Sequence, residues 1–114
     1  MSALNITSRD ATTGPVVEIA GDLDYDTAGR LREVCADLAL HSGQRLVVDL
    51  AALEFMDSTG ITALIAARNH ALAAGADIAL AAVPDNTIRI LRLVGLDQIF
   101  PMHPTAEAAT VGTG

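Results

Sequence analysis

Hydrophobic and polar positions alternate with two different periods along the chain, and the changes of period separate strands from helices. ALNIT alternates Leu4 and Ile6 with polar residues, which predicts a half-exposed edge strand. RDATTG predicts a turn, and PVVEIAG predicts a second strand that can form a hairpin with the first. RLVVDL and DIALAAV are short and almost continuously apolar, which is typical of strands buried on both faces of a parallel sheet.

Helical spacing of apolar residues appears between these strands. A first helix is predicted after GDLDYD and is expected to end at Gly43, with Asp24 or Asp26 as its N-cap. A second helix is predicted from about residue 61 to residue 75, with Leu72 in its apolar face. PDNTIRILRLVG predicts a third helix with Val94 in its apolar stripe, LDQIF a short last strand and PTAEAA a terminal helix.

The predicted elements follow the order β, β, α, β, α, β, α, β, α. Strands that alternate with helices imply parallel pairing through right-handed crossovers. The sequence therefore predicts a single α/β domain over residues 1–114. Its mixed, mostly parallel sheet of four to five strands has an antiparallel N-terminal edge strand and is packed with about four helices. The last residues, 110–114, are expected to form a flexible tail.

Composition narrows the classes of function. The chain has 14 acidic against 7 basic residues and a formal net charge of −7, which disfavours binding to nucleic acid or to an anionic membrane. The single cysteine, Cys35, allows no internal disulfide and no Cys/His zinc cluster, and is expected to pack as a small apolar group. No signal peptide or membrane span is apparent, so a cytoplasmic location is expected.

The segment EFMDSTGIT places an acid, two hydroxyls and a glycine where a strand gives way to a helix. In open α/β sheets this edge is where functional sites usually lie. Asp57 and Ser58 are good N-cap residues, so capping alone accounts for them. A phosphoryl group on Ser58 is the functional alternative, because the N-terminus of a helix favours an anion. The residues by themselves leave both interpretations open.

Catalytic and nucleotide sites are disfavoured. A serine nucleophile needs an adjacent base, and the sequence places none of the three histidines, His41, His70 and His103, near Ser58. The segment MDSTG also lacks the glycine two residues before the serine that a nucleophile elbow requires. The chain has neither a glycine-rich loop with a lysine nor a GxGxxG motif. No catalytic residue, metal site or cofactor is therefore predicted.

Acidic residues are expected to surround Ser58. Asp22 and Asp24 lie at the end of one predicted strand and Asp57 at the end of another, and the carboxyl ends of parallel strands share one edge. Phosphorylation would add about −1.5 to −2 charge to this surface. Because Gly60 has no side chain, it is expected to let a phosphate or a docking protein approach the backbone closely.

Three segments together resemble a known family. DLAALEFMDSTGITAL is similar to the signature of the anti-sigma factor antagonists, the single STAS domains of bacterial partner-switching systems. GDLDYDTAGRLR resembles the Gly-acid-Leu-Asp segment ahead of that family's first helix, and LVGLDQIFPMHPTAEAA resembles its C-terminal stretch. The resemblance covers residues 4–109 and implies a STAS-like βαβ superhelix.

The resemblance also implies a regulatory switch that has no catalytic activity. In the family, the unmodified antagonist binds an anti-sigma factor that is also a serine kinase with a histidine-kinase-like ATPase fold, and the sigma factor is freed. Phosphorylation, here of Ser58 with Thr59 as the second candidate, switches binding off, and a PP2C-type phosphatase reverses it. ATP and magnesium would belong to the partner. The implied partner-binding residues are Asp22, Asp24, Asp57, Ser58, Thr59 and Gly60.

Two alternatives differ from this switch. A phosphocarrier would pass the phosphoryl group onward, but a serine phosphoester is too stable to donate it readily, and no histidine is placed to do so. A STAS scaffold or ligand-sensing module would not be regulated by phosphorylation. In that case, replacement of Ser58 by alanine would leave all binding intact.

Overall fold

Five strands form one mixed sheet, in the order in which they occur along the chain, in a computed structural model that describes residues 3–111. The first two strands pair antiparallel, and every later pairing is parallel. The α/β prediction is confirmed, including the antiparallel edge strand and four helices. The elements are β1 (Leu4–Ala11), β2 (Gly14–Leu23), α1 (Ala28–Asp37), β3 (Arg45–Met56), α2 (Ser58–Ala73), β4 (Asp77–Ala81), α3 (Asp85–Leu93), a 3-10 turn (Leu96–Gln98), β5 (Met102–His103) and α4 (Ala106–Ala109).

The last strand and the end of α1 differ from the sequence prediction. LDQIF begins with the 3-10 turn instead of a strand, because Gly95 turns the chain in a left-handed conformation (φ 79°) and Phe100 is then buried in the core. The last strand follows at Met102–His103. Helix α1 ends at Asp37, well before Gly43, since the next residue is extended. The predicted tail at 110–114 falls largely outside the described residues.

The main core lies between one face of the sheet and helices α1, α2 and α3. Neighbouring residues of a strand point to opposite faces, so Val48 joins this core while Val47 packs under α4 on the other face. β3 is therefore apolar on both faces over its first half, as the continuous hydrophobic run predicted. Few aromatic residues are needed, because the core is filled by valine, leucine, isoleucine and alanine.

Helix α2 packs on the sheet through small residues. Its buried positions are Gly60, Ala63, Leu64, Ala67 and Ala71. The predictions that Leu72 of α2 and Val94, just after α3, belong to apolar stripes are wrong, because both side chains are exposed. The buried face of α2 instead consists mainly of small residues, which let the helix approach the sheet closely. Within residues 3–111, every helix is too short or too polar to cross a membrane.

Cys35 packs in the core on α1, as the sequence predicted, and is 2% exposed. Burial raises its pKa from 9.0 to about 11, because desolvation disfavours the thiolate. The thiol therefore stays protonated in the folded chain at neutral pH and is unreactive.

We expect a thiol reagent at pH 8 to label Cys35 in urea but not in the native protein. Between pH 9 and about 11 the unfolded chain loses this proton while the folded chain retains it. The free energy of unfolding should therefore fall as the pH rises through that window. Urea titrations at pH 8 and pH 10 measure the decrease. Cys35→Ala should show a smaller decrease, and an equal decrease in both proteins would contradict the assignment.

Candidate functional site

The carboxyl ends of β2 and β3 lie side by side. In the parallel register Asp22 is opposite Phe55, and Leu23 is opposite Met56. The loop from β2 to α1 therefore lies beside the junction of β3 and α2. The sequence prediction that GDLD and MDST share one edge of the sheet is confirmed at the level of topology.

Asp57 is the N-cap of α2. Its Oδ1 atom accepts hydrogen bonds from the backbone amides of Thr59 (2.9 Å) and Gly60 (3.1 Å). Its Oδ2 atom accepts from the amide of Tyr25, at 3.2 Å, in the loop from β2 to α1. One carboxylate thus caps the helix and ties the two loops together. The helix begins at Ser58, slightly earlier than predicted, because this cap satisfies the first-turn amides.

Ser58 is the first residue of α2 and is exposed. Its carbonyl oxygen accepts a hydrogen bond from the Thr62 hydroxyl at 3.0 Å. The amides of Thr59 and Gly60 already donate to Asp57, so a phosphoryl group at Ser58 would have to share them. The attraction for such a group is therefore the field of the helix dipole, which the Asp57 carboxylate partly offsets.

Thr27 organises the loop in which two of the predicted acids lie. Its hydroxyl oxygen lies 2.7 Å from the carbonyl oxygen of Asp22 and accepts from the amide of Asp24 at 2.9 Å. The Asp24 carboxylate accepts from the amide of Asp26 at 3.1 Å. The prediction that Asp24 or Asp26 caps α1 is wrong, because Thr27 occupies the N-cap position.

Sequence reasoning missed Thr27, although a signal was present. It is buried, at 5% exposed, and its polar atom is satisfied within the loop. A hydroxyl three residues after an aspartate is a local turn pattern, and Asp24 and Thr27 have that spacing. Asp22 and Asp24 are partly exposed beside the site, and their predicted contact with a partner stays a prediction.

Gly60 is buried at the point where α2 meets the end of β2. A Cβ atom built there would lie 2.4 Å from the carbonyl oxygen of Leu23 and 2.6 Å from Cγ of Met56. The missing side chain thus allows close packing within the chain itself. The sequence had suggested close approach by a partner or phosphate, and that role stays a prediction.

The histidines lie apart from Ser58. His41 is in the loop before β3, His70 is well along α2, and His103 lies in β5. Within residues 3–111, no histidine makes a hydrogen bond to Ser58.

Two exposed aromatic residues adjoin the same edge. Tyr25 is 81% exposed and Phe55 is 53% exposed. Tyr25 follows Asp24 in the loop from β2 to α1, and Phe55 precedes the cap Asp57 by two positions. Neither residue was predicted to belong to the site from the sequence, although each is next to an acidic residue, in DYD and EF.

Comparison with known proteins agrees with the sequence resemblance. The family model described as STAS domain matches residues 4–109. The anti-sigma-F factor antagonist RsfB of Mycobacterium tuberculosis is 29% identical over 110 residues, which cover 96% of this chain and 89% of that protein. The anti-sigma-B factor antagonist of Listeria monocytogenes is 27% identical over 97 residues, covering 85% and 84%.

A solved structure has the same architecture. The crystal structure of an anti-sigma factor antagonist from Mycobacterium paratuberculosis superimposes with a TM-score of 0.79. It is 31% identical, and the match covers 94% of this chain and 91% of that one. The order of strands and helices, and with it the shared edge of β2 and β3, is therefore that of a solved protein fold.

Proposed function

Because this chain belongs to the STAS domain family of anti-sigma factor antagonists, we propose that it binds an anti-sigma factor serine kinase with a histidine-kinase-like ATPase fold. The unphosphorylated form binds the kinase and frees the sigma factor. Phosphorylation of Ser58 switches this binding off, and a PP2C-type phosphatase restores it. The chain acts in the bacterial cytoplasm and catalyses no reaction itself, while ATP and magnesium belong to the kinase.

The observation that carries the proposal is the position of Ser58. It is exposed at the first turn of α2, on the edge where the ends of β2 and β3 meet. A docking kinase can reach such a residue without unfolding any part of the chain. The neighbouring hydroxyl of Thr59 is partly exposed and is the second candidate acceptor.

Charge is the proposed means of switching. The cap of α2 is already made by Asp57, so phosphorylation need not rearrange the hydrogen bonds of the helix. It adds about −1.5 to −2 charge to a surface that already carries Asp22, Asp24 and Asp57. A partner face that matches the unmodified surface would then meet an extra anion that it must desolvate. The fold stays as it is while the association is lost.

The proposal is tested with substitutions of Ser58 and a matched control. Ser58→Asp should weaken binding to the kinase by about tenfold or more, because taking an unpaired carboxylate out of water in an interface costs on the order of several kcal/mol. Ser58→Ala should still bind but should not be phosphorylated. Ser42→Asp adds the same charge to an exposed serine just before β3, at the end of that strand opposite to Ser58, and should bind like the wild type.

The measurements are calorimetric titration and mass spectrometry after incubation with ATP and each kinase of this fold from the source genome. A single phosphoryl group should map to the peptide around Ser58. Equal affinity of Ser58→Asp and the wild type, with no phosphorylation of either, would instead favour a scaffold or ligand-sensing STAS domain. Phosphorylation of the Ser58→Ala variant would indicate that Thr59 is the acceptor. Transfer of the phosphoryl group to a third protein would indicate a phosphocarrier.

A further inference from the structure

Two of the three aromatic residues of the chain are exposed at the edge of the sheet that carries Ser58. The chain has one tyrosine, two phenylalanines and no tryptophan. Phe100 is in the core, whereas Tyr25 and Phe55 are 81% and 53% exposed. In a chain so poor in aromatic residues, the exposure of two at one edge calls for a reason, since exposed apolar residues that cluster on one surface mark interaction sites.

The exposure of Phe55 follows from an irregularity in β3. The consecutive residues Gly21 and Asp22 of β2 are opposite Leu53 and Phe55 of β3, so Glu54 is an extra residue in the ladder. Regular alternation would place Phe55 on the same face as Leu53, which is buried, but Phe55 is exposed. Such a bulge redirects a side chain, and bulges are frequent next to functional sites.

The backbone of Tyr25 is held in place as well. Its amide donates to Oδ2 of Asp57, the same carboxylate that caps α2. The residues on either side of Tyr25 are joined by the bond from the amide of Asp26 to Asp24. A fixed backbone reduces the conformational freedom that the loop would lose on binding.

We propose that Tyr25 and Phe55, called here the aromatic pair, are the main apolar anchors of the surface that binds the anti-sigma factor kinase. This inference rests on the proposed function and specifies its interface. Buried aromatic residues commonly supply most of the binding energy of an interface, and they do so in pockets from which water is excluded.

The charges around the aromatic pair identify the chemistry of the partner face. Asp26 follows Tyr25 and Glu54 precedes Phe55, and both acids are exposed. Arg30 lines the groove next to Glu54, where its guanidinium donates to the carbonyl oxygen of Leu4 at 2.6 Å. Acids still outnumber this one base, so the partner should offer apolar pockets bordered by arginine or lysine.

The aromatic pair also explains why one phosphate suffices to end binding. Ser58 is three positions after Phe55, and the residue before Ser58 bonds the amide of Tyr25. Burial of the two rings would require a phosphate on Ser58 to lose water at the same time. A doubly charged group in an apolar interface is strongly unfavourable unless it is paired.

Another exposed apolar surface competes for the same role. On and just after α3, Leu93 is 80% exposed and Val94 is 58% exposed, beside Arg89 and Arg92. That surface carries basic residues and lies on a different element from Ser58. A partner bound there would not be released by phosphorylation of Ser58. The surface also supplies a matched control substitution, because Leu93 and Tyr25 are exposed to almost the same extent.

The experiment titrates the chain of residues 1–114 and its variants with each purified kinase of the histidine-kinase-like ATPase fold from the source genome. Phe55→Ala and Tyr25→Ala should each weaken binding by about 30-fold or more, as expected for interface hot spots. Leu93→Ala should bind within about twofold of the wild type. Tyr25→Phe should retain binding, since it keeps the ring. Urea midpoints equal to that of the wild type show that the variants are folded.

A second measurement uses the single tyrosine. Tetranitromethane should nitrate Tyr25 in the free chain, and the bound kinase should protect it. If both alanine variants bind like the wild type while Ser58→Asp still weakens binding, the aromatic pair does not anchor the interface. The proposed function would stand in that case. If only Leu93→Ala loses affinity for the kinase, the binding surface is that of α3 and the inference about the aromatic pair is wrong. Failure of the wild type to bind any of these kinases would overturn both proposals.

Discussion

Gly60→Ala is expected to lower the free energy of unfolding by about 2 kcal/mol, although alanine is the better helix former. Helix propensity alone would favour alanine by about 1 kcal/mol. The new Cβ, however, would lie 2.4 Å from the carbonyl oxygen of Leu23, which is backbone in a paired strand and cannot rotate away. Overpacking costs typically about 1–3 kcal/mol, and a contact this short with backbone lies at the upper end of that range. The steric term therefore prevails, and Tm should fall by about 10 °C.

Gly29→Ala is the matched control, because Gly29 also lies in the first turn of a helix. Nothing lies within 4 Å of a Cβ built at Gly29, and the residue is exposed. This substitution should stabilise the chain by up to about 1 kcal/mol. Urea denaturation of both variants measures the difference. Equal effects of the two substitutions would show that α2 can move away from β2, and the close packing at Gly60 would then have no energetic significance.

Asp57→Ala is expected to cost about 2 kcal/mol of stability, and it should also loosen the site. It removes the cap that accepts from the amides of Thr59 and Gly60, an interaction worth about 1–2 kcal/mol. It also removes the acceptor for the amide of Tyr25. Hydrogen exchange at Tyr25 should accelerate together with exchange in the first turn of α2.

Asp57→Asn separates these two contributions. Its carbonyl oxygen can still cap α2, since asparagine is a good N-cap residue. Its amide group would face the Tyr25 N–H, and two donors cannot bond to each other. We expect a loss of about 1 kcal/mol, with faster exchange at Tyr25 only. Asp26→Ala, an exposed acid in the same loop, should change stability by less than about 0.5 kcal/mol. Equal losses for Asp26→Ala and Asp57→Ala would contradict the role of the cap.

The local residue pattern was sufficient to identify the architecture and the edge that carries Ser58. Continuous apolar runs predicted buried parallel strands, and their alternation with helices predicted the crossovers. Asp57 was identified as a cap candidate because its chemistry acts over three residues of chain. The resemblance of three segments to the STAS antagonists agreed with the family that the comparisons show. Each of these inferences depends on interactions between residues that are near in sequence, or on a whole-chain pattern.

Long-range geometry decided the rest. Gly60 is required because Leu23, far from it in sequence, places a carbonyl oxygen against the first turn of α2. The bond from Tyr25 to Asp57 joins two loops that meet only after β2 and β3 have paired. The exposure of Phe55 depends on one extra residue in a ladder, and no pattern within β3 alone reveals its register. Sequence determined which residues could form the site, whereas tertiary pairing decided which of them pack inward and which are exposed to solvent.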